Sequence, residues 1–373
     1  MKIAIDCRCL RKKPAGVPNF LIAVINNLAV QQKNWKIYLL SNEDFSKEVK
    51  NKLHLSANVI PIIEPLVLFP KMATLWYILK IFFILKRLNV DLFYTPIPNL
   101  PSFIPQNIRT MITVHDMVYK RFPETMSIGN RLINFFLHNS SIRKADRIWT
   151  VSNYTKGEVE LFYPERKCRH IEVGTAIDKN IYCPVVLTPK EKELLLRKYN
   201  IKNSFILTVG TLEPRKNLQF LLSLMPALNA INHDLIIVGA KGWGNSKLNP
   251  VDMRDYPRDE VKFAGFVTDE DLVKLYQLAS VYLSTSVNEG FCLPLLEAMT
   301  CGCPVVAAHN SGMIEVVEGG GETVPGWNKN LWVETIEKVV IHRELYVARG
   351  FTKAKTYEWS EVIGRITRYI EEA

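Results

Sequence analysis

Residues 285–304 read TSVNEGFCLPLLEAMTCGCP, and their chemistry sets what the rest of the chain must supply. They follow residues 280–284, an apolar run that looks like a parallel strand, so the stretch begins where that strand ends. Pro294 opens a short helix, since at the first helical position a missing N–H breaks no bond. Leu295, Leu296, Ala298 and Met299 give the helix an apolar side, and Gly302 stands where a left-handed C-cap belongs. Ahead of it, the loop 288–291 leaves backbone N–H groups aimed above the strand ends. A helix N-terminus of this kind is an anion site. Glu289 lies before it and Glu297 one turn inside. A phosphate flanked by two acids suits a ligand that also carries neutral hydroxyls, as a ribose or a sugar does.

A second motif lies in the same half. Residues 210–217, GTLEPRKN, follow another apolar run and precede a helical pattern. Arg215 offers a planar fork and Lys216 a point charge, a pairing suited to a diphosphate. Between and around the motifs, strands at 205–210, 234–239, 261–265, 280–284 and 304–308 alternate with helices at 217–229, 269–279 and 294–301, with Thr268 as an N-cap. Such alternation predicts a parallel sheet with helices on both faces. Residues 239–244, GAKGWG, make a third glycine turn after a strand. A charged connector at 188–199 places the domain junction near 180–200.

Glu289, seven residues, then Glu297, embedded in EGFCLPLLEAM-x-CG-x-PVVA, resembles the donor-site motif of the retaining nucleotide-sugar glycosyltransferases of family 4. That resemblance covers nearly the whole chain. It implies the GT-B fold: an α/β protein of two Rossmann-like domains facing a cleft, at 1–185 (acceptor) and 186–355 (donor). A last helix, 356–373, crosses back onto the first domain. It also implies roles. Arg215, Lys216 and the helix start hold the diphosphate, Glu297 the ribose and Glu289 the sugar, with His115 meeting the sugar from the first domain. Gly210, Val267, Gly290, Phe291, Cys292 and Leu293 line the donor. The family's N-terminal glycine loop is matched by Gly16 alone, because Ala15 and Pro18 replace two of its glycines; Thr211 likewise stands where an Arg is usual. Metal is not implied, as no Asp-x-Asp stands at a strand end. The wording GTLEPRKN and GAKGWG looks most like mannosyl- and rhamnosyltransferases of surface-polysaccharide assembly. The implied donor is GDP-mannose and the acceptor a saccharide or lipid-linked saccharide. A UDP-hexose or dTDP-rhamnose donor, an epimerase of the same fold, or a non-catalytic nucleic-acid binder are the alternatives.

The first half shows the same strand–helix rhythm less cleanly. A strand at 2–7, a basic loop 8–14 and a helix over 18–30 open it; a strand at 108–115 ends in His115-Asp116, on the ligand side of an open sheet. A strand at 147–151 is followed by Ser152 as N-cap. Charge is uneven: residues 1–180 hold 26 Lys and Arg against 14 Asp and Glu, the remainder 21 against 23. Such asymmetry calls for an anionic partner. No nucleic-acid module accompanies it. Residues 66–90 are apolar but interrupted by Pro70, Lys71 and Lys80, too broken for a membrane span. From Met72 they read either as a helix buried in the first domain, or as a membrane-contacting element with Trp76 and Tyr77 at the interface, drawn to anionic lipid. Seven cysteines without a framework, and no signal peptide, point to reduced thiols in the cytoplasm, on this second reading at the inner face of the membrane. Cys301 and Cys303 read as packing.

Overall fold

The structure, a computed structural model, describes residues 1–12, 16–66, 72–126, 128–166, 171–239 and 260–372. Ala15, Pro70, Lys71, Cys168 and residues 240–244 of the third glycine turn lie outside the described residues.

The chain opens with β1 (Lys2–Asp6), α1 (Val17–Gln31), β2 (Lys36–Ser41), α2 (Lys47–Lys52), β3 (Val59–Ile63), α3 (Ala73–Leu79) and α4 (Ile81–Leu88). It continues through β4 (Leu92–Thr95), β5 (Arg109–Val114), α5 (Val118–Arg121), α6 (Ile128–Lys144), β6 (Arg147–Thr150), α7 (Asn153–Phe162) and β7 (Ile171–Val173). These seven strands form one parallel sheet in the order β3-β2-β1-β4-β5-β6-β7. The central strands are buried on both faces, which is why they read as unbroken apolar runs. The run from Met72 is two helices that part at Lys80. Trp76 and Tyr77 are not interfacial rings: both are buried. Trp76 Nε1 donates to the Glu64 carbonyl at 2.6 Å, and the Tyr77 hydroxyl donates to the Asn99 carbonyl. Once its one polar atom is paired, an aromatic ring gains more from the core than from the surface. Ile78, Leu79 and Phe83 remain exposed on the outer side.

The second sheet follows from α8 (Pro189–Lys198), β8 (Ser204–Val209), α9 (Leu218–Ser223), α10 (Met225–Ala230), β9 (His233–Val238), β10 (Val261–Gly265), α11 (Asp269–Leu278), β11 (Val281–Ser284), α12 (Leu293–Thr300), β12 (Val305–Ala308), α13 (Ser311–Val317) and β13 (Glu322–Val324). Its order is β10-β9-β8-β11-β12-β13, again parallel throughout. Three expectations change here. The charged connector is a helix, α8, closed by a Thr188–Glu191 capping box. The helix expected over 217–229 is two, because Pro226 lacks the N–H that would continue it. The short strand β13 was not expected.

After α14 (Lys329–Ile341) and α15 (Arg343–Lys355), the last helix, α16 (Trp359–Glu371), lies on the first sheet beside α1. Its buried stripe is Trp359, Val362, Ile363, Ile366 and Ile370. Gln31 Nε2 donates to the Ser360 carbonyl, Arg109 Nη1 to the Ile370 carbonyl, and the Ile148 N–H to the Tyr369 hydroxyl. Among the described residues no helix is long and apolar enough to cross a membrane. In each sheet the strand order reverses, at β1/β4 and at β8/β11, and crevices outside the carboxyl ends at such points take ligands.

Candidate active site

Both sequence motifs leave the sheet at the β8/β11 reversal. Past β8, Gly210 turns the chain at φ +151°, and Lys216 folds back over it; a Cβ there would meet Lys216 Cε at 3.0 Å. A tight 3-10 turn, Pro214–Lys216, then brings Arg215 and Lys216 to the loop after β11. Val287 N–H donates to the Arg215 carbonyl at 2.8 Å and the Thr285 hydroxyl to the Lys216 carbonyl at 3.0 Å. The two arms are therefore pinned to each other before any side chain meets.

The side chains then converge on Glu289, which is 7% exposed. Arg215 Nη1 lies 2.6 Å from Oε2, and Lys216 Nζ donates to Oε1 at 2.6 Å. Ser286 Oγ adds a bond to Oε1 at 2.7 Å, and the Glu289 N–H is taken by Ser311 Oγ at 3.0 Å. Burial alone would raise this carboxyl; Arg215 and Lys216 outweigh it and bring it down to about 2. Arg215 is in turn braced by Glu213, whose Oε2 accepts from Nε at 2.9 Å. Its guanidinium feels three carboxylates, Glu289, Glu213 and, from the first domain, Asp116, and these override the opposing effect of burial to raise it. So the structure joins Arg215, Lys216 and Glu289 in one ion-paired cluster, where the sequence had allotted them to separate parts of a ligand.

Gly290 is the tightest point. A Cβ there would fall 1.7 Å from the His115 carbonyl oxygen, so only glycine lets the two domains close this far. Phe291 packs edge-on against Tyr357 at 5.4 Å, and Cys292 takes a left-handed turn at φ 75° to start α12, which no side chain caps. Burial pushes the Cys292 thiol up to about 11, which keeps it inert. Gly302 closes the helix at φ +79°. Across the cleft His115 Nε2 bonds the Pro96 carbonyl at 2.9 Å, and Phe20 meets the ring edge-on at 4.9 Å. A carbonyl can only accept, so Nε2 carries the hydrogen; burial lowers the ring's pKa and favours the neutral form, leaving Nδ1 as an acceptor. Gly16 stands at φ 55° just before α1.

Glu297 faces another direction. It lines a cavity of about 280 Å³ with Leu293, Asp269 and Tyr182, closed from the first domain by Asn19 and Lys52. Tyr276 donates to its Oε2 at 2.8 Å, and burial raises its carboxyl to about 7 against the hydrogen bonds of Tyr276 and Tyr182. Lys52 crosses the domain gap to Asp269 at 2.5 Å. Val267, buried, leaves β10 two residues before Asp269. The sequence did not single out Asp269 or Lys52. The only available signal was an acid at the start of a helix that follows a strand of the same sheet.

Comparison with known proteins fits this geometry. A family profile described as "Glycosyl transferases group 1" matches residues 191–351, and one described as "Glycosyltransferase Family 4" matches residues 16–179. The O-antigen chain mannosyltransferase B of Escherichia coli is 33% identical over 69% of this chain and 70% of its own length. The serotype-specific mannosyltransferase WbdA of the same species is 25% identical, and the match covers 68% of this chain and 32% of WbdA. Among solved structures, sucrose-phosphate synthase from Thermosynechococcus elongatus superimposes with a TM-score of 0.77 at 17% identity, covering 100% of this chain and 98% of the other. Anabaena Alr3699/HepE, solved with UDP and glucose, gives 0.73 at 18% identity with full coverage of both.

Proposed function

The chain belongs to the family 4 glycosyltransferases and is a hexosyltransferase with the GT-B fold, and from that premise we propose that it moves mannose from GDP-mannose, with retention, onto a saccharide or lipid-linked saccharide of the cell surface. One observation carries the reading. At the β8/β11 reversal two cations, a carboxylate held at about 2 and the uncapped start of α12 converge. Breaking the bond between the anomeric carbon and the diphosphate builds negative charge on the leaving oxygens and positive charge on the sugar. Arg215, Lys216 and the helix start oppose the first. Glu289 stays ionised at any ordinary pH, so it accepts hydrogen bonds from sugar hydroxyls and does not serve as an acid. His115 offers Nδ1 to a hydroxyl from the other side. The acceptor's proton passes to the departing phosphate oxygen on the face from which the acceptor arrives, which preserves configuration.

Mannose is favoured by the likeness to O-antigen mannosyltransferases. Guanine is favoured by Asp269. Asp269 lines the same cavity as Glu297 with one oxygen on Lys52, and a base lying there would offer its carboxylate two donors if guanine, N1–H and the amino group, but a single N–H between carbonyls if uracil. The structural neighbours solved with UDP and UDP-glucose favour a second reading, a UDP-hexose donor. Divalent metal is not required on this proposal, because Arg215, Lys216 and α12 already bring positive charge to the leaving group. The test is a panel of GDP-mannose, UDP-glucose and dTDP-rhamnose, with and without EDTA, following nucleotide release and the anomer formed. GDP release with retention, unchanged by EDTA, is expected. Release of UDP alone, or activity lost in EDTA and restored by magnesium, overturns the donor or the metal-free claim respectively.

A further inference from the structure

The loop that carries Glu289 is held from the other domain. Ser152, the N-cap of α7, accepts the Thr155 N–H at 3.0 Å and donates its hydroxyl to the Gly290 carbonyl at 2.5 Å. Thr155 Oγ1 lies 3.2 Å from the same carbonyl and 3.3 Å from that of His115. The start of α7 is itself fixed by the second domain. Glu315 of α13 accepts the N–H groups of Asn153 and Tyr154 at 2.9 and 3.4 Å and the Asn153 amide at 3.1 Å. Asn288 Nδ2 donates to the Tyr154 hydroxyl at 2.6 Å. The Gly290 peptide has no slack: its own Cβ would strike His115, and a Cβ on Gly312 would lie 2.1 Å from the Gly290 oxygen.

We propose that Ser152 and Thr155 are positioning residues: the first turn of α7 fixes the Gly290 peptide and through it the direction of the Glu289 carboxylate, so the sugar end of the donor site is complete only when the two domains are in contact. The inference rests on the reading of Glu289 as the group that meets the hexose. It separates two halves of the donor site. Glu297 and Asp269 line their own cavity, in which no α7 residue takes part. Removing the α7 hydroxyls should therefore reach turnover and spare the nucleotide.

The test uses the full chain with Ser152→Ala, Thr155→Val, the double variant and Thr155→Ser, measuring kcat and KM for nucleotide release, GDP affinity by calorimetry, and melting temperature. The double variant is expected to lose kcat by about tenfold to a hundredfold, the scale of a small misplacement of a reacting group. Its Kd for GDP should stay within about twofold, and Thr155→Ser should retain most of the activity because it keeps the hydroxyl. Wild-type kcat in the double variant overturns the proposal. So does a loss of GDP affinity and melting temperature in step with kcat that Thr155→Ser shares, since that is a purely structural role. Wild-type activity on another sugar nucleotide instead of GDP-mannose counts against the donor assignment alone, and the variants are then compared on that donor and its diphosphate. Wild-type inactivity on every donor removes both.

Discussion

Glu289 and Glu297 belong to one motif yet carry opposite protonation chemistry, about 2 against about 7. Glu289 is buried and Glu297 half-buried at the wall of its cavity; the difference is that Arg215 and Lys216 stand on Glu289, while Glu297 has tyrosine hydroxyls and the nearby negative charge of Asp269. On the proposed assignment of the ribose to Glu297, holding two hydroxyls calls for the ionised acceptor, so binding of the proposed GDP-mannose donor should expel a proton from Glu297. We predict that GDP-mannose affinity weakens as pH falls below about 7, approaching tenfold per unit. A Glu297→Gln variant should bind more weakly but with a flat profile. The sugar-capped diphosphate has no terminal phosphate to titrate, so calorimetry across that range reads the protein; a flat wild-type profile ends the assignment. For stability the sign is reversed from that of an ion-paired acid. Between 4.5 and about 7 the native chain holds a proton that the unfolded one has lost, so this group's contribution falls as pH rises through that window. The cations and both acids were legible in the sequence because each motif lies on one short loop. Asp269, Lys52, Ser152 and Thr155 were not, because a contact between domains leaves no periodicity or spacing behind.

Elements follow the same division. Strands buried on both faces announce themselves as apolar runs, and the central strands of the second sheet fell within a residue or so of their expected places. The three-residue β13 hides after a run of glycines, and α8 buries only Leu195, so its charged surface read as a connector even though Thr188 and Glu191 spelled out a capping box. The docking of α11 was invisible for another reason: it depends on Arg343, at the start of α15 and far along the chain. Nη1 donates to the carbonyls of Ala279 and Ser280 at 2.8 Å each, and Nη2 reaches those of Gln277 and Gly302 at 3.2 and 3.4 Å. One guanidinium thus satisfies the end of α11, the entry to β11 and the turn after α12. Arg343→Met should cost about 2–3 kcal/mol, the scale of charged hydrogen bonds lost from part-buried carbonyls. The expected signature is a lower melting temperature with nucleotide affinity near wild type, since Arg343 lines neither the Glu297 cavity nor the Glu289 cluster. An unchanged melting curve would mean that water replaces the guanidinium at no loss.

At the scale of the whole molecule, the two sheets differ in charge more than in architecture, and the basic excess lies wholly within the first 180 residues. The run from Met72 has a buried side and an exposed one. Trp76 and Tyr77 point inward, and Ile81, Ile84 and Leu85 are buried with them, while Ile78, Leu79 and Phe83 are 65%, 51% and 67% exposed. Phe103 is also exposed, at 77%, in a loop tied to α3 by the Tyr77–Asn99 bond and to α6 by the Leu100 N–H to Ser141 Oγ at 2.8 Å. Lys86 and Arg87 stand exposed on the same helix as Phe83. Large apolar side chains beside cations are poorly placed for water and well placed for an anionic leaflet. There each basic residue near the surface contributes about 1 kcal/mol, and the rings add the apolar area they bury. Docking on this face would bring the cleft to a lipid-linked acceptor. We predict that the protein sediments with phosphatidylglycerol-containing vesicles and is released as salt rises. Phe83→Ser, Phe103→Ser and Lys86→Glu together should abolish sedimentation, with turnover on a water-soluble acceptor unchanged, because none of these residues lines the Glu297 cavity or bonds Glu289. Equal recovery with neutral and anionic vesicles, or none with either, would mean that the acceptor is met in solution and that the charge of the first domain serves another anion.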